Sequence, residues 1–591
     1  MRGSTRSRRA GRVARVARVL GLVTAAALLA GCARMPTSGP VVESEGTSGS
    51  QDVPGISFDP RPPQAGQATA EVVEGFFEAM KATPVSVSVA RQFLSRDAAE
   101  AWVPEQEIIT YAELGDPTAG TSVRVPLTDV NTYDARGAWQ RTHGGATLSL
   151  GLVKEDGEWR IDEVPDALIV PETWFDDWYE RASLYYFDPT TEIMVPEPVF
   201  VPRGDQFASS LVRGLLTRSS SDLQDVTRSY FPPGTTHGLS VPITSGIAQV
   251  SLSGDPDAVD ELTAQRMLAQ LVWTLRQEPR IGAVQLSIGG RTIVGPSGSP
   301  QVSLQFGSGY DPNGVPATTD LFALDQGRVV TGPMGELAPT LGPLGQEESG
   351  YDLRSIGVSL SGVRLAGVTA TGSDLVVAPT EAPTGEVATV VVGAVDLAAP
   401  HWDYRDRIWV LDRNDGRARV FQVVGGETGE VVVPGLTGRR LTELIVSRDG
   451  TRLVAVVRTG KADRVVSVRV RHDAAGAVVG FTRPQVLPEP AEGNARIRDI
   501  AWRSPTTVSV LRDIITEGLS QVRTVSVDGA PGEISTGGTT TLRGRIRTLV
   551  SSPVDLVEAY AVAGRSVFAL TRPERSVPDL PPGLTSLTYV G

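Results

Sequence analysis

Residues 311–591 are a long succession of short apolar segments separated by turns rich in Gly, Asp and Pro. The strand-like segment 407–411 leads into Asp-Arg-Asn-Asp-Gly at 412–416, and the segment 444–446 leads into Ser-Arg-Asp-Gly at 447–450. Short strands at this spacing are typical of a β-propeller built from four-stranded blades. At ~40–45 residues a blade, the region accommodates six or seven blades. A pair of β-sandwiches is the alternative.

Residues 183–310 have a different pattern, in which strand-like and helix-like segments alternate. Leu268, Leu271, Val272 and Leu275 recur at helical spacing, whereas Val284, Leu286 and Ile288 alternate as in a strand. The sequence therefore predicts a separate α/β domain over 183–310.

Residues 68–182 predict a small α+β domain. Val72, Val73, Phe76 and Phe77 lie on one face of a helix. Alternating strands follow, and the segment 154–161 (Lys-Glu-Asp-Gly-Glu-Trp-Arg-Ile) predicts a hairpin whose Asp-Gly pair adopts positive φ at the turn. The order of helices followed by a curved antiparallel sheet resembles the nuclear-transport-factor-2-like (NTF2-like) cone. Such cones hold small ligands or act as scaffolds.

The N-terminus indicates export from the cytoplasm. Residues 1–31 contain seven arginines, no acid and an apolar run too short to span a bilayer, which is the pattern of a secretory signal peptide. The run ends in Leu-Leu-Ala-Gly before Cys32, and this resembles a bacterial lipobox. The resemblance implies an S-diacylglycerol and an N-palmitoyl group on Cys32; a chance cysteine is the alternative. The Ser-Arg-Arg at 7–9 leaves a twin-arginine export route open.

Residues 32–67 are rich in Pro, Gly, Ser and acids and show no apolar period, so the sequence predicts a flexible tether between the lipidated cysteine and the first domain. We expect two acyl chains to hold the protein stably on the extracytoplasmic face of the cell membrane.

Composition excludes several classes of function. The formal charge is -13, which argues against binding of nucleic acid, and a single Cys excludes a disulfide framework and Cys-based metal centres. The four histidines are far apart in the sequence, so we predict no metal site, and we predict no other cofactor. No P-loop, nucleophile elbow or zinc-protease motif is present, so we predict no catalytic residues.

Three clusters are candidates for a binding role. Residues 412–416 resemble a calcium loop but are one spacer short, and a hairpin turn is the simpler interpretation. Residues 401–404 (His-Trp-Asp-Tyr) are either part of a site on one propeller face or a contact between blades. The aromatic residues of 174–179 (Trp-Phe-Asp-Asp-Trp-Tyr) are either a platform for a partner or glycan or a seal at a domain junction.

The domain at 183–310 resembles the GerMN domain named after spore-germination proteins, a family not known as enzymatic. The resemblance lies in Tyr186-Phe187, Leu215-Leu216, Pro232 to Thr235, Val250, Leu252, Gln270, Thr274-Leu275, Val284, Ile288 and Gly289.

The whole chain resembles the LpqB family of actinobacterial lipoproteins, through Cys32, the 156–161 segment and the GerMN positions. The resemblance implies a multidomain α+β and all-β protein: a signal peptide (1–31), a lipidated Cys and tether (32–67), an NTF2-like domain (68–182), a GerMN domain (183–310) and a β-propeller-like domain (311–591). It also implies a non-catalytic protein that binds the extracytoplasmic domain of a sensor histidine kinase of the MtrA–MtrB type and acts in envelope homeostasis and division. The alternatives are an envelope protein that binds or processes cell-wall glycan, and a plain assembly scaffold.

Overall fold

A computed structural model describes residues 40–41, 58–315, 317–347, 349–460, 462–488, 496–514, 518–532 and 538–591. Cys32, the signal peptide and most of the predicted tether lie outside these residues. The described chain forms an N-terminal α+β domain, a middle α/β domain and a C-terminal propeller.

The N-terminal domain is a six-stranded sheet packed against short helices. The first helix buries Val72, Val73, Phe76 and Phe77 as its spacing predicts. The helices are Thr69–Ala79, Arg96–Ala101 and Glu172–Trp178, with short 3₁₀ segments at Ala90–Phe93 and Pro104–Gln106. The sheet runs in the order Glu158–Glu163, Trp139–Glu155, Ser122–Asp134, Glu107–Tyr111 and Leu168–Pro171, with Glu113–Leu114 paired to Ser122–Asp134.

Two local features of this domain follow from single residues. Asp156 and Gly157 have φ of 53° and 89°, as the predicted hairpin turn requires. Ser95 separates the 3₁₀ segment Ala90–Phe93 from the helix Arg96–Ala101: its Oγ accepts the backbone N–H of Ala98 and so begins the helix at Arg96.

Part of the predicted tether is ordered, which differs from the expectation of a flexible segment. Phe58 pairs with Thr83 through two backbone hydrogen bonds, and Gly66 N donates to Glu158. Farther upstream, Pro40–Val41 form a short strand antiparallel to Thr539–Arg543 of the propeller. Backbone pairing of this kind satisfies N–H and C=O groups without any apolar periodicity, so the composition did not indicate it.

The middle domain begins with a long hairpin, here called the linking hairpin, formed by Tyr179–Phe187 and Met194–Pro202. Its first strand crosses the predicted domain boundary at 182–183. The core beyond it contains a parallel pair, Ile247–Leu252 with Ala283–Ile288, covered by the helix Glu261–Leu275. The remaining elements are the helices Phe207–Leu216 and Ser221–Gln224, the strands Ile243–Thr244, Arg291–Thr292 and Gln301–Ser303, and the 3₁₀ segments Gly204–Gln206, Pro256–Ala258 and Ser308–Tyr310.

The described residues of the propeller form six blades. In blades two to five the strands follow in chain order, and the first strand of each lies innermost. Blade one takes its innermost strand from Leu584–Thr588, which pairs with Leu321–Asp325 and closes the ring. This closed ring excludes the alternative of two β-sandwiches.

The strands of the blades, from the innermost outward, are as follows. Blade one contains Leu584–Thr588, Leu321–Asp325, Arg328–Gly332 and Ala338–Pro339; blade two Leu353–Val358, Arg364–Thr369, Leu375–Pro379 and Ala388–Val391; blade three His401–Trp402, Ile408–Asp412, Arg419–Val424 and Glu427–Val431; blade four Leu441–Val446, Arg452–Arg458, Asp463–His472 and Val478–Phe481, with Gln485–Val486 beside the third; blade five Ile497–Ser504, Thr507–Asp513, Leu519–Ser526 and Thr539–Arg543; and blade six Thr548–Val550, Tyr560–Ala563 and Ser566–Ala569.

A buried ionic cluster fastens the middle domain to the propeller. Glu197 of the linking hairpin binds Arg452 and Arg469 of blade four, and its Oε2 lies 2.7 Å from Arg469 Nη2. Burial opposes ionisation of Glu197, but the two guanidinium groups outweigh this effect and lower its pKa to about 2. We refer to Glu197, Arg452 and Arg469 as the docking cluster.

Candidate functional site

The innermost strands of the six blades surround a central channel of about 570 Å³. Every blade contributes to its wall, because the first strand of each blade runs along the propeller axis. The volume is within the range of ordinary ligand pockets. The channel is therefore the first candidate for a functional site.

A chain of alternating charges runs along the channel wall from blade two to blade four. Arg354 Nη2 lies 2.6 Å from Asp396 Oδ1, and Arg413 Nη1 lies 3.5 Å from Asp396 Oδ2. Arg413 Nη2 in turn lies 3.5 Å from Glu443 Oε1. These contacts fix the side chains of three successive blades relative to one another.

Two carboxyl groups at the end of this chain have raised pKa values. Burial raises the pKa of Glu443 to about 7, and Arg413 offsets only part of that effect. Burial and the charge of Glu443 raise the pKa of Asp499, although Asp499 accepts the backbone N–H groups of Leu549 and Ile500 at 2.7 and 2.8 Å. Glu443 lies deep in the molecule yet faces the channel, and 28% of its side chain stays accessible.

The side chains of the His-Trp-Asp-Tyr cluster at 401–404 lie in three different environments. His401 lines the channel, where burial lowers its pKa to about 4 and keeps the imidazole neutral. Asp403 is fully buried and accepts hydrogen bonds from Arg407 Nε and Trp409 Nε1 at 2.7 and 3.0 Å. Tyr404 points to the middle domain and donates its hydroxyl to Asp188 at 2.9 Å. The cluster is thus partly channel wall, partly blade core and partly domain contact.

The calcium-like sequence at 412–416 forms a turn. Asp412 is fully buried, and its Oδ1 accepts the backbone N–H groups of Asp396 and Asn414 at 2.8 and 3.1 Å. Asn414 and Asp415 take positive φ, as at a tight turn. Among the described residues no group of three His, Cys, Asp or Glu side chains is placed to hold a metal ion.

The aromatic cluster at 174–179 lies at the junction of the first two domains. Trp174 Nε1 donates to the carbonyl of Lys81 at 3.0 Å. Phe175 stacks on Tyr179 with ring centroids 4.6 Å apart and contacts Phe200 of the linking hairpin. The geometry is that of an interdomain seal.

Sequence reasoning did not single out Glu443, Asp499, Asp396, Arg354 or Arg413. The sequence does contain a pattern that could have indicated two of them: Glu443 and Asp499 are acidic residues within strands that have apolar residues at alternate positions. Their convergence from separate blades depends on the ring itself. Cys32 is not among the described residues, so its lipidation stays a prediction. No helix in the described part of the chain has the length and apolar character needed to cross a membrane.

Comparison with known families assigns all three domains. The sequence profile described as "Lipoprotein LpqB, N-terminal domain" matches residues 62–176, "Sporulation and spore germination" matches 183–294, and "Lipoprotein LpqB beta-propeller domain" matches 327–568. Together with the six-bladed ring, these matches confirm the predicted fold class.

Curated relatives match over nearly the whole chain. The chain is 28% identical to "Lipoprotein LpqB" of Thermobifida fusca (strain YX), covering 89% of this chain and 92% of that protein. It is 29% identical to the protein of the same name from Streptomyces coelicolor (strain ATCC BAA-471 / A3(2) / M145), covering 89% and 91%. Among solved structures, one of a nidogen/laminin complex matches 46% of this chain and 97% of that chain, at 10% identity and a TM-score of 0.33.

Proposed function

The chain belongs to the LpqB family of lipoproteins, and on that premise we propose that it is a lipid-anchored, non-catalytic binding protein that modulates a two-component sensor kinase. Its anchor is the diacylglyceryl and palmitoyl groups on Cys32, and it acts on the extracytoplasmic face of the membrane. Its partner is the extracytoplasmic domain of a kinase of the MtrA–MtrB type, in envelope homeostasis and division. The observation that carries the proposal is the order of domains shared with curated lipoproteins over 89% of the chain.

Two physical arguments support a modulator. An anchor in the same bilayer as the kinase raises the effective concentration of each protein for the other, so a weak contact suffices. Modulation further requires that the protein bind one signalling state better than the other. The docking cluster supports this role because it joins the middle domain to the propeller. A contact made at one of these domains therefore also affects the orientation of the other.

The experiment is reconstitution of the lipidated protein with the full-length sensor kinase in vesicles, with autophosphorylation and phosphotransfer as the readouts. We expect the lipidated protein to change the rate of phosphorylation. The chain from residue 32 onward with Cys32→Ser, added at equal bulk concentration, is the control and should act only at much higher concentration. Equal rates with and without the lipidated protein, over a range of surface densities, would contradict the proposal.

The central channel favours a second candidate function, the binding or processing of an envelope glycan. Glu443 is poised to be protonated near neutral pH, as a general acid must be, and His401, Trp502 and Tyr589 line the same channel. The test is incubation of the protein and its Glu443→Gln variant with soluble wall-glycan fragments. Saturable binding or turnover that is lost in the variant supports this candidate, and inert fragments reject it.

A further inference from the structure

A second cavity, of about 570 Å³, lies between the N-terminal and middle domains and plays no part in the proposals above. One wall comes from residues 85–91, 104–108 and 134–137 of the N-terminal domain. The other comes from the linking hairpin and the helix Phe207–Leu216 of the middle domain. We refer to this space as the junction cavity.

Fixed contacts between the two domains enclose the junction cavity. Phe200 N donates to the carbonyl of Gly137 at 2.8 Å, and a Cβ on Gly137, whose φ is +81°, would lie 2.0 Å from Phe200 O. Gln206 Nε2 donates to the carbonyl of Val85 at 2.9 Å on another side. Because the walls are tied at separate points, the space is part of the fold and not a loose gap between domains.

About half of the cavity lining is apolar. Side chains from both domains contribute to it: Val85, Val87, Pro104, Ile108, Leu168, Phe200, Val201 and Pro202. An apolar wall of this extent favours the hydrocarbon part of a small ligand, since burying such a group removes its surface from water.

Tyr179 supplies an unused hydrogen-bond donor. The residue is only 6% exposed, and no described residue forms a hydrogen bond with its hydroxyl. Burial raises the pKa of Tyr179, with Arg213 acting to lower it and Glu105 to raise it. The hydroxyl therefore stays protonated, lines the cavity and is within electrostatic range of both charged groups. The hydroxyl is therefore available to donate a hydrogen bond to a ligand oxygen in the cavity.

Arg213 is an exposed cation on the cavity wall that forms no ion pair with the described residues. Arg136 Nη2 lies 2.7 Å from Asp134 Oδ2, although its buried Nη1 has no hydrogen-bond partner among the described residues, and Arg91 donates to two backbone carbonyls. The guanidinium of Arg213, in contrast, makes a single 3.4 Å contact with Ser210 Oγ and no ion pair within the described residues. It is free to bind an anionic group beside the Tyr179 hydroxyl.

We propose that the junction cavity binds a small amphipathic anion, with its hydrocarbon part against the apolar wall and its carboxylate or phosphate on Tyr179 and Arg213. The shared chemistry is an acyl or alkyl chain that ends in an oxyanion, and the two headgroups are distinguished by experiment. Glu105 also lines the cavity, forms no ion pair with any described residue and opposes an anion there.

Isothermal titration calorimetry tests the proposal on the chain from residue 32 onward with Cys32→Ser, so that no acyl chain of the protein or detergent competes. The probes are octanoate, octyl phosphate and octan-1-ol. We expect saturable 1:1 binding of at least one anion and binding of the alcohol at least about tenfold weaker, because one charge-assisted hydrogen bond contributes about this much. The tighter of the two anions identifies the headgroup. No saturable binding, or an alcohol that binds as tightly as the anions, overturns the proposal.

Variants then locate the site. Arg213→Gln and Tyr179→Phe should each weaken anion binding by about tenfold, and Ser88→Trp, at the cavity lining, should abolish it. Arg218→Gln changes an exposed arginine five residues away, outside the lining, and should leave the affinity unchanged. Glu105→Gln should tighten anion binding two- to threefold, because it removes a repulsive charge.

Melting temperatures within a few degrees of the parent chain show that the variants fold. Affinities unchanged by both Arg213→Gln and Tyr179→Phe, or weakened by Glu105→Gln, overturn the proposal.

Discussion

Glu197 is one carboxylate shared by two arginines that lie in another domain. Its side chain is 7% exposed and that of Arg452 is 2% exposed, so both charges have left bulk water. A charge in such a place is tolerated only when its partners remain. Removing the acid therefore costs more than the ion pair itself contributes, because two guanidinium groups stay buried without it.

We predict that Glu197→Gln lowers the free energy of unfolding by about 3–5 kcal/mol, measured by urea denaturation at pH 7. Glu192→Gln is the matched control: Glu192 pairs with Arg405 on the same face of the middle domain, but its side chain is 56% exposed, and we expect a loss below about 1 kcal/mol. The pKa of Glu197 is lowered from 4.5 to about 2, so its contribution is present above pH 4.5 and is lost as the pH falls toward 2. Equal losses of unfolding free energy in Glu197→Gln and Glu192→Gln would contradict the role of Glu197 in holding the two domains together.

Glu443 predicts the opposite dependence on pH. Its pKa is raised from 4.5 to about 7, so the native carboxyl keeps a proton that the unfolded chain has already released. Stability from this group falls as the pH rises from about 4.5 to about 7. We predict that Glu443→Gln, which resembles the protonated form, is more stable than the parent chain at pH 8 by about 1–3 kcal/mol and about equally stable at pH 4.

The measurement for Glu443 is the melting temperature of the parent chain and the variant from pH 4 to 8. Glu427→Gln, on an exposed hairpin of blade three, is the control and should follow the parent chain throughout. A difference between Glu443→Gln and the parent chain that stays constant with pH would mean that Glu443 does not titrate in this range.

At the scale of elements, closure of the ring depends on one strand. Leu584–Thr588 is the innermost strand of blade one, and Ser586 Oγ also accepts the backbone N–H of Ile356 of blade two at 3.0 Å. The strand thus joins two neighbouring blades. Without it, Leu321–Asp325 would present an unpaired edge to the channel.

We predict that deletion of residues 584–591 lowers the melting temperature by at least about 10 °C and makes Leu321–Asp325 exchange its amide hydrogens rapidly, because ring closure protects the edges of the blade. Hydrogen exchange followed by mass spectrometry measures both blade one and the distant blade four. A two-residue Gly-Ser insertion at the exposed Gly425-Gly426 turn is the control and should leave exchange at blade one unchanged. Slow exchange of Leu321–Asp325 after the deletion would show that the ring is closed by other contacts.

Many elements could be predicted from local sequence, because their signals are local. Apolar runs between turns gave strands such as Arg452–Arg458, and the Asp-Gly pair gave the hairpin at 156–157. The pairing of Leu584–Thr588 with a strand more than 250 residues earlier could not be predicted, since no local pattern specifies a distant partner.

The candidate sites could be predicted to a much smaller degree, because their residues come together only through contacts between distant parts of the chain. Glu443 and Asp499 meet through the geometry of the ring, and Glu197 finds Arg452 only because the middle domain docks on blade four. Their neighbours in sequence are ordinary strand residues. A single segment can indicate only the chemistry that it carries by itself, as the residues before Cys32 do, and the lipidation of Cys32 stays a prediction.

At the scale of the whole molecule, the proposed function rests on the proposed lipid anchor. We predict that Cys32→Ala blocks incorporation of labelled palmitate and leaves a precursor that retains residues 1–31, because the thiol is the atom that receives the diacylglyceryl group. Mass spectrometry of protein from membrane fractions measures both. Ala33→Ser, at the adjacent residue, is the control and should be processed normally. Labelled palmitate on the Cys32→Ala chain would refute the assignment.

The short strand at Pro40–Val41 sets a limit on how far the molecule can stand from the bilayer. Eight residue steps separate Pro40 from Cys32, and a fully extended chain covers at most about 30 Å in that distance. With Cys32 lipidated as proposed, the outer edge of blade five therefore lies within about 30 Å of the lipid surface. The proposed kinase contact would then involve a molecule whose blade five stays near the bilayer.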